Sequence, residues 1–408
     1  MLLTFIFLGH AALASVAWVP EYIDRLDVSF AAWGTIIGLG VIGSITPLLF
    51  ASRLMMRFGS RIIIRLSSYS GLIFLMSLAW SDDPLVWFFL NAGFNFSMSL
   101  LGVAVNSHGV LLQKQISKNI IGRLHAGWSV GAVLAAFTGA LSTVFLSLEV
   151  YLALVAVSTW IIFEFAFRNL LSPTEDGHLE EKAQVVKRKF YQMPQQLWLL
   201  AFGLFFGVYP EVAVIDWAAV FAKDVLNVDI ALRSLPFASF MIGMIAGRLA
   251  MTRMTERFHP HLIASRGSFM AAGALALSAI FAPILAQMNT AAGLVLTIFL
   301  WGAAGLGLSV VSPAFFAAAG HIEGVSTSWA VARLSLFNSS VAIFAKAFMG
   351  ATVEGYGLAL AFFFPIVLAI GSGIIAGIFA KRAKMVELEN AAPPTGPISL
   401  TIDEPRAR

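Results

Sequence analysis

The side chains best able to do chemistry in this sequence are few, and they lie inside apolar runs. In the run 85–110, Asn91, Asn95, Ser99, Gly102 and Asn106 recur every three or four residues. On a helix turning about 100° per residue they share an arc of about 80°. A stripe of amides with a hydroxyl suits hydrogen bonding to a hydroxyl-rich ligand such as a sugar, and it equally suits amide bonds between helices. Further along, Glu211 and Asp216 follow Pro210. Five residues turn a helix by about 500°, so these carboxylates point about 140° apart and share no small site unless the helix breaks at Pro210. A carboxyl inside an apolar run can take up a proton on one side and release it on the other. Glu211 is therefore a candidate for both proton coupling and substrate binding. Asp216 is a second coupling candidate, or half of an ion pair with the nearby Lys223.

Other ionisable groups are scattered. His125, one turn before Ser129, could relay protons or hold a structural hydrogen bond. His10 falls within the first apolar run, and His108 points away from the amide stripe and reads as packing. Lys346 and Arg333 lie in one run, where a cation could meet an anionic substrate or pair with an acid such as Glu211. Asn91, Asn95, Asn106, Glu211 and Lys346 make up the expected substrate-binding set, and Glu211, Asp216 and His125 the coupling set. Arg248 precedes a basic loop and can reach toward an aqueous face as a structural residue.

Several chemistries are excluded. The chain has no cysteine, hence no disulfide, thiolate metal site or cysteine nucleophile. It has no G-x-x-x-x-G-K-[ST] for direct use of ATP and no H-E-x-x-H for a metal. No Ser-His-Asp arrangement or histidine cluster suggests an integral-membrane enzyme, so no catalytic residue, metal or cofactor is expected. Basic patches interleaved with aromatics, the mark of nucleic-acid binding, are missing as well.

The apolar runs themselves decide the setting. Hydrophobic residues make up 59% of the chain and charged residues 12%, with a mean hydropathy of +0.85. A soluble domain uses about a quarter of its residues as charges, so this chain could not cover its surface in water. About 20 apolar residues cross a bilayer as a helix. The expected spans are 2–20, 32–52, 63–80, 85–110, 124–147, 150–170, 197–221, 235–253, 263–285, 291–316, 327–351 and 356–380. Continuous runs of this length exclude a β-barrel. The first lacks a basic leader segment and a small-residue cleavage pattern, so it reads as a retained span and not a signal peptide.

Charge sets the orientation. With a cytoplasmic N-terminus, Arg53, Arg57, Arg61, Arg65, Lys114, Lys118, Arg123 and the basic run Lys187-Arg188-Lys189 all fall inside, as do Arg253, Arg257, Arg266, Lys381 and Arg382. Outside lie only Arg25, Lys223 and Arg233, among acids such as Glu21, Asp24 and Glu149. That is the positive-inside pattern, with both termini cytoplasmic. The polar segment 172–196 divides the spans six and six. The expected organisation is a six-helix bundle over 1–171, a cytoplasmic linker over 172–196, a second bundle over 197–381 and a disordered tail over 382–408.

The two bundles echo each other at a constant offset. Ile42-Gly43 matches Ile242-Gly243, Arg53 matches Arg253, and Arg57-Phe58 matches Arg257-Phe258. A parallel repeat of this kind is a transporter signature. The stretch from Ser52 through Arg53, Arg57, Gly59 and Arg61 resembles the loop motif of the major facilitator superfamily, with Met56 where that motif has Asp and with an acid, Glu256, in the second copy. Trp18-Val19-Pro20, His125-Ala126-Gly127-Trp128 and Glu211 to Asp216-Trp217 resemble bacterial members of the fucose-permease type, many of unknown substrate. Gly102 stands where that subgroup commonly has Asp. The resemblance implies an all-α fold of two pseudo-symmetric six-helix bundles, with helices one, four, seven and ten around a central cavity. It also implies a conformational role for Arg53, Arg57, Gly59, Arg61, Arg248, Glu256 and Arg257.

The functional expectation is a multi-pass secondary transporter of the cytoplasmic (inner) membrane. It works as a monomer by alternating access, with protons and a small solute as partners, as in a symporter. A sugar-like solute is favoured by the amide stripe. Drug or metabolite efflux is the alternative, and a non-transporting receptor or assembly protein on the same scaffold is a second.

Overall fold

The computed structural model describes residues 1–116, 120–168, 170–171, 193–320, 322 and 327–391. Most of the expected linker 172–196, with Lys187-Arg188-Lys189, and the tail beyond 391 lie outside the described residues, as does Lys118. Among the described residues, twelve helices are long and apolar enough to cross a membrane. They are α1 (Leu2–Arg25), α2 (Phe30–Leu48), α3 (Ser60–Leu78), α4 (Pro84–Gln113), α5 (Arg123–Phe145), α6 (Leu148–Phe167), α7 (Gln195–Val225), α8 (Ile230–Met251), α9 (Pro260–Met288), α10 (Thr290–Ala319), α11 (Trp329–Tyr356) and α12 (Leu358–Ala383). The all-α expectation holds, and the spans agree with it to within a few residues.

Local sequence sets the helix ends. Ser29, Asp83, Ser147 and Asn289 each accept a hydrogen bond from a backbone N–H three residues on, at 2.8–3.4 Å, which satisfies a first-turn donor. Pro20 lacks an N–H, and α1 is interrupted just before it by a tight turn at Val16–Trp18, then resumes over Val19–Arg25. The Trp18 indole N–H donates to Ser142 Oγ of α5 at 3.0 Å and anchors this bend. By contrast α7 runs unbroken through Pro210.

The outward surface is apolar, as lipid requires: Phe89, Phe145, Phe165, Phe299 and Phe344 are all exposed. Within each bundle, backbones approach closely at small residues. A Cβ placed on Gly43 would lie 2.1 Å from the Ala92 carbonyl oxygen, and one on Gly243 would lie 2.0 Å from that of Gly302. The glycine pair picked out by the sequence repeat thus makes equivalent contacts, α2 on α4 and α8 on α10.

The bundles meet along two seams. In one, α2 packs on α11, and a Cβ on Gly34 would sit 2.7 Å from Gly350 Cα. In the other, α5 packs on α8, where Thr143 Oγ1 donates to the Ile230 carbonyl at 3.4 Å. Side-chain ion pairs close the end of the molecule remote from the chain termini. Arg233 lies 3.0 Å from Glu21, and Lys223 lies 2.5 Å from Asp24; both pairs join α1 to the second bundle. The Phe30 N–H donates to Glu354 Oε2 at 2.9 Å across the α2–α11 seam. Arg25 stays within the first bundle, bound to Glu149 at 2.6 Å and to the Ala79 carbonyl. All three basic residues expected on this face are therefore engaged.

Candidate functional site

Two cavities lie between the bundles and share Ala12 of α1 as a boundary. The larger, about 980 Å³, is a vestibule on the termini side. Its mouth includes the exposed residues Arg123, His125 and Leu249. Its walls hold Gly102 and Asn106 of α4, Ser129 of α5, Glu211 of α7, Arg248 of α8 and Phe316 of α10. The smaller, about 220 Å³, is a chamber on the sealed side. It is bordered by Tyr22, Trp33, Trp87, Asn91, Asn95, Asp216 and Lys346.

This division separates residues that the sequence groups together. Glu211 and Asp216 stay on different faces because α7 is continuous, and each faces its own cavity. Glu211 is half-buried in the vestibule wall, and no hydrogen bond joins its carboxylate to another of the described residues. Asp216 is held by Lys346, whose Nζ lies 2.9 Å from Oδ1 and 2.7 Å from Oδ2. Of the two acids expected to attract a cation, Lys346 takes Asp216 and not Glu211, while Lys223 pairs with Asp24 and not Asp216.

The amide stripe is likewise divided. Asn91 and Asn95 border the chamber, while Asn106 faces the vestibule. Asn95 Nδ2 donates to Asn91 Oδ1 at 3.0 Å, and Ser44 Oγ donates to Asn95 Oδ1 at 3.3 Å. Ser99 Oγ donates to the Ser44 carbonyl at 2.7 Å, tying α4 to α2 between the cavities. Asn106 Nδ2 donates to its own helix at Gly102. Both readings of the stripe thus have residues assigned to them: Ser44, Asn95 and Ser99 bond helix to helix, and Asn91 and Asn106 border open space.

Arg248 is placed differently from its sequence context. Its Nη1 donates to Ser129 Oγ of the opposite bundle at 2.9 Å, and it lines the vestibule together with Glu211 and His125. A membrane-embedded guanidinium with further N–H groups facing a cavity is a strong marker of a solute path. The remaining loop-motif residues lie away from the cavities. Arg53, Arg57, Glu256 and Arg257 are exposed, Arg61 is half-buried, and Gly59 takes φ 78°, which lets a short helix over Ala51–Phe58 turn into α3. His125 lies at the vestibule mouth with its ring edge-on to Phe5. His10 bonds Thr138 at 2.9 Å. His108 is buried between Ser60 Oγ at 2.7 Å and the Leu171 N–H at 3.2 Å. Because that N–H must donate to Nε2, the His108 proton lies on Nδ1.

Sequence reasoning missed the aromatic side of the chamber. Trp33 and Trp87 have ring centroids 4.9 Å apart, and Tyr22 lies edge-on to Trp87 at 5.3 Å. In sequence, aromatics at the ends of apolar runs read as membrane-interface residues. Only the packing of α1, α2 and α4 brings these three together.

No family model matches the chain. It is 26% identical over 368 residues to an uncharacterized transporter of Sinorhizobium fredii, covering 89% of this chain and 93% of that protein. It is 24% identical to an uncharacterized MFS-type transporter of Yersinia pestis, covering 86% of this chain and 88% of that one. Among solved structures, a mutant of the nucleoside transporter NupG superposes with a TM-score of 0.73 at 14% identity, covering 93% of this chain and 98% of that one. Fold and relatives together define the class: a polytopic all-α membrane protein with the major facilitator fold, similar along most of its length to proteins named as transporters.

Proposed function

We propose that the chain is a proton-coupled secondary transporter. It moves a small polar solute by alternating access, with Glu211 as the coupling carboxylate. The unbonded Glu211 carboxylate in the vestibule wall, roughly midway along α7, carries this reading. A proton can reach it from the open side without breaking an existing bond, and Arg248 lines the same vestibule. The termini lie on the cytoplasmic side, as the distribution of Lys and Arg indicates. The vestibule then faces the cytoplasm, and the conformation is inward-facing with its outer end sealed by Glu21–Arg233 and Asp24–Lys223. Asn91, Asn95, Asn106 and Lys346 line the solute path, and the protein acts as a single chain. The resemblance to fucose-permease-like members supports a sugar-like solute.

A thermal-shift screen of the purified protein over sugars, amino acids, organic acids and drugs supplies a ligand for reconstitution. In proteoliposomes, a pH gradient drives accumulation of that ligand. Glu211→Gln abolishes the gradient-driven component while retaining solute exchange. Undiminished gradient-driven uptake by Glu211→Gln would refute the coupling assignment, and no flux by the unmodified protein would favour the receptor reading.

A further inference from the structure

A third cavity, of about 380 Å³, lies within the second bundle and away from the boundary between the two. Its walls come from α8, α9, α10 and the turn joining α8 to α9, with Gly247, Ala250 and Met254 supplied by α8. The vestibule takes Ile245, Arg248 and Leu249 from the same helix. At about 100° per residue the two sets point about 180° apart. The third cavity therefore opens away from the vestibule and toward lipid. Its mouth is open: Met254, Phe258, Met270 and Leu306 are 40–47% exposed. Beside it α9 and α10 touch backbone to backbone, where a Cβ on Gly267 would lie 2.2 Å from the Gly307 carbonyl oxygen.

Only two of the lining side chains are polar. Ser309 Oγ is engaged by its own helix, donating to the Leu306 carbonyl at 2.7 Å. Arg266 is exposed, and no hydrogen bond or ion pair joins its guanidinium to another of the described residues. It stands six residues past Pro260, where α9 begins, which is about 9 Å along the axis. From that depth a long cationic side chain reaches the headgroup layer while its stem stays among apolar groups. The fold does not demand a cation at this position. At the constant offset of the repeat its counterpart on α3 is Leu66, an exposed apolar residue. The segment 252–266 holds three arginines, Arg253, Arg257 and Arg266, against one acid, Glu256, so an anion is favoured at this edge of the bundle.

We propose that this cavity binds a single anionic phospholipid of the leaflet on the termini side, with its phosphate on Arg266 and one acyl chain in the cavity. An apolar cavity holds water poorly, and hydrocarbon is the solvent at its mouth. The planar guanidinium matches a phosphate group bidentately, and basic pockets between spanning helices recognise anionic headgroups. A zwitterionic lipid also carries a phosphate, but its own ammonium offsets the charge, so it binds more weakly. The site is independent of the solute and of the coupling residue.

The test uses the full chain, delipidated in detergent and titrated with phosphatidylglycerol, phosphatidylethanolamine or phosphatidylcholine carrying the same palmitoyl and oleoyl chains. Native mass spectrometry counts the lipids that stay bound. One phosphatidylglycerol binds per chain, about tenfold more tightly than either zwitterionic lipid. Arg266→Gln, at an exposed position, weakens this binding by about tenfold and removes the headgroup preference. Ala250→Phe, also at an exposed position, fills the cavity and weakens all three lipids. Arg257→Gln, on the same turn but outside the cavity lining, changes the affinity by less than about twofold. The proposal is overturned if no one-to-one complex forms, if the three headgroups bind alike, or if Ala250→Phe leaves binding unchanged. Equal weakening by Arg257→Gln and Arg266→Gln overturns it too, since that would mark diffuse attraction to a basic face.

Discussion

Lys346 on α11 holds Asp216 on α7 through both carboxylate oxygens, at 2.9 and 2.7 Å, with the two side chains only 15% and 14% exposed. The pair lies within membrane-spanning helices, where an isolated charge is expensive and a matched pair is tolerated. Tyr209 Oη, two turns before Asp216, also donates to the Ala345 carbonyl at 2.7 Å, so α7 and α11 are tied at successive levels. The chamber wall in the second bundle is thereby rigid and electrically neutral.

Breaking this pair on one side leaves a buried charge uncompensated. Asp216→Asn should destabilise the protein by about 3–5 kcal/mol, and Lys346→Met by a similar amount. The double variant should recover most of the loss, because neither charge then remains. Thermal midpoints of the three purified variants check this, and a double variant as unstable as the singles would contradict it.

The outer seal should yield to charge removal. Glu21 and Asp24 hold Arg233 and Lys223 across the bundle boundary. Pairs at a solvent-facing rim contribute about 0.2–1 kcal/mol each, enough together to shift a conformational equilibrium several-fold. Because the chain has no cysteine, a single Asn91→Cys reports on the chamber without background. A membrane-impermeant thiol reagent applied from outside should label it several-fold faster once Glu21→Gln and Asp24→Asn are added. An unchanged rate would show that the seal lies elsewhere.

The α2–α11 seam should be intolerant of bulk. A Cβ on Gly34 falls 2.7 Å from both Gly350 Cα and the Lys346 carbonyl oxygen, backbone atoms that cannot rotate away. Gly34→Val should cost about 1–3 kcal/mol by overpacking, with a lower thermal midpoint. It should also raise labelling at Asn91→Cys as the seam is wedged apart. Wild-type behaviour in both measurements would contradict the close approach.

Arg248 should be essential to flux without being essential to folding. Arg248→Ala removes the cation that lines the vestibule with Glu211 and the link to Ser129, and uptake should fall by at least about tenfold at equal protein level. Arg248→Lys keeps the charge but loses the planar fork, and should recover only part of the activity. Full activity of Arg248→Ala would return this residue to the structural role that its neighbourhood in the sequence suggests.

The membrane setting, the twelve helices and their boundaries are legible in the sequence because each depends on a local quantity. Hydropathy over about 20 residues decides whether a run can cross lipid, and residues such as Ser29 and Asn289 end helices through bonds to their own neighbours. The divergence of Glu211 from Asp216 is also local, since helix periodicity alone separates them. Which side chains meet across the bundle is not local. Lys346 could have paired with either acid, and the packing of α11 on α7 chose Asp216. Arg248 sits in sequence beside a basic loop, yet the crossing of α8 and α5 brings it to Ser129. Tyr22, Trp33 and Trp87 lie on three different helices, and no periodicity within any one of them signals that their rings converge. Apolar patterning specifies that a face is buried and not what it is buried against; close backbone contacts, as at Gly34 and Gly350, decide that.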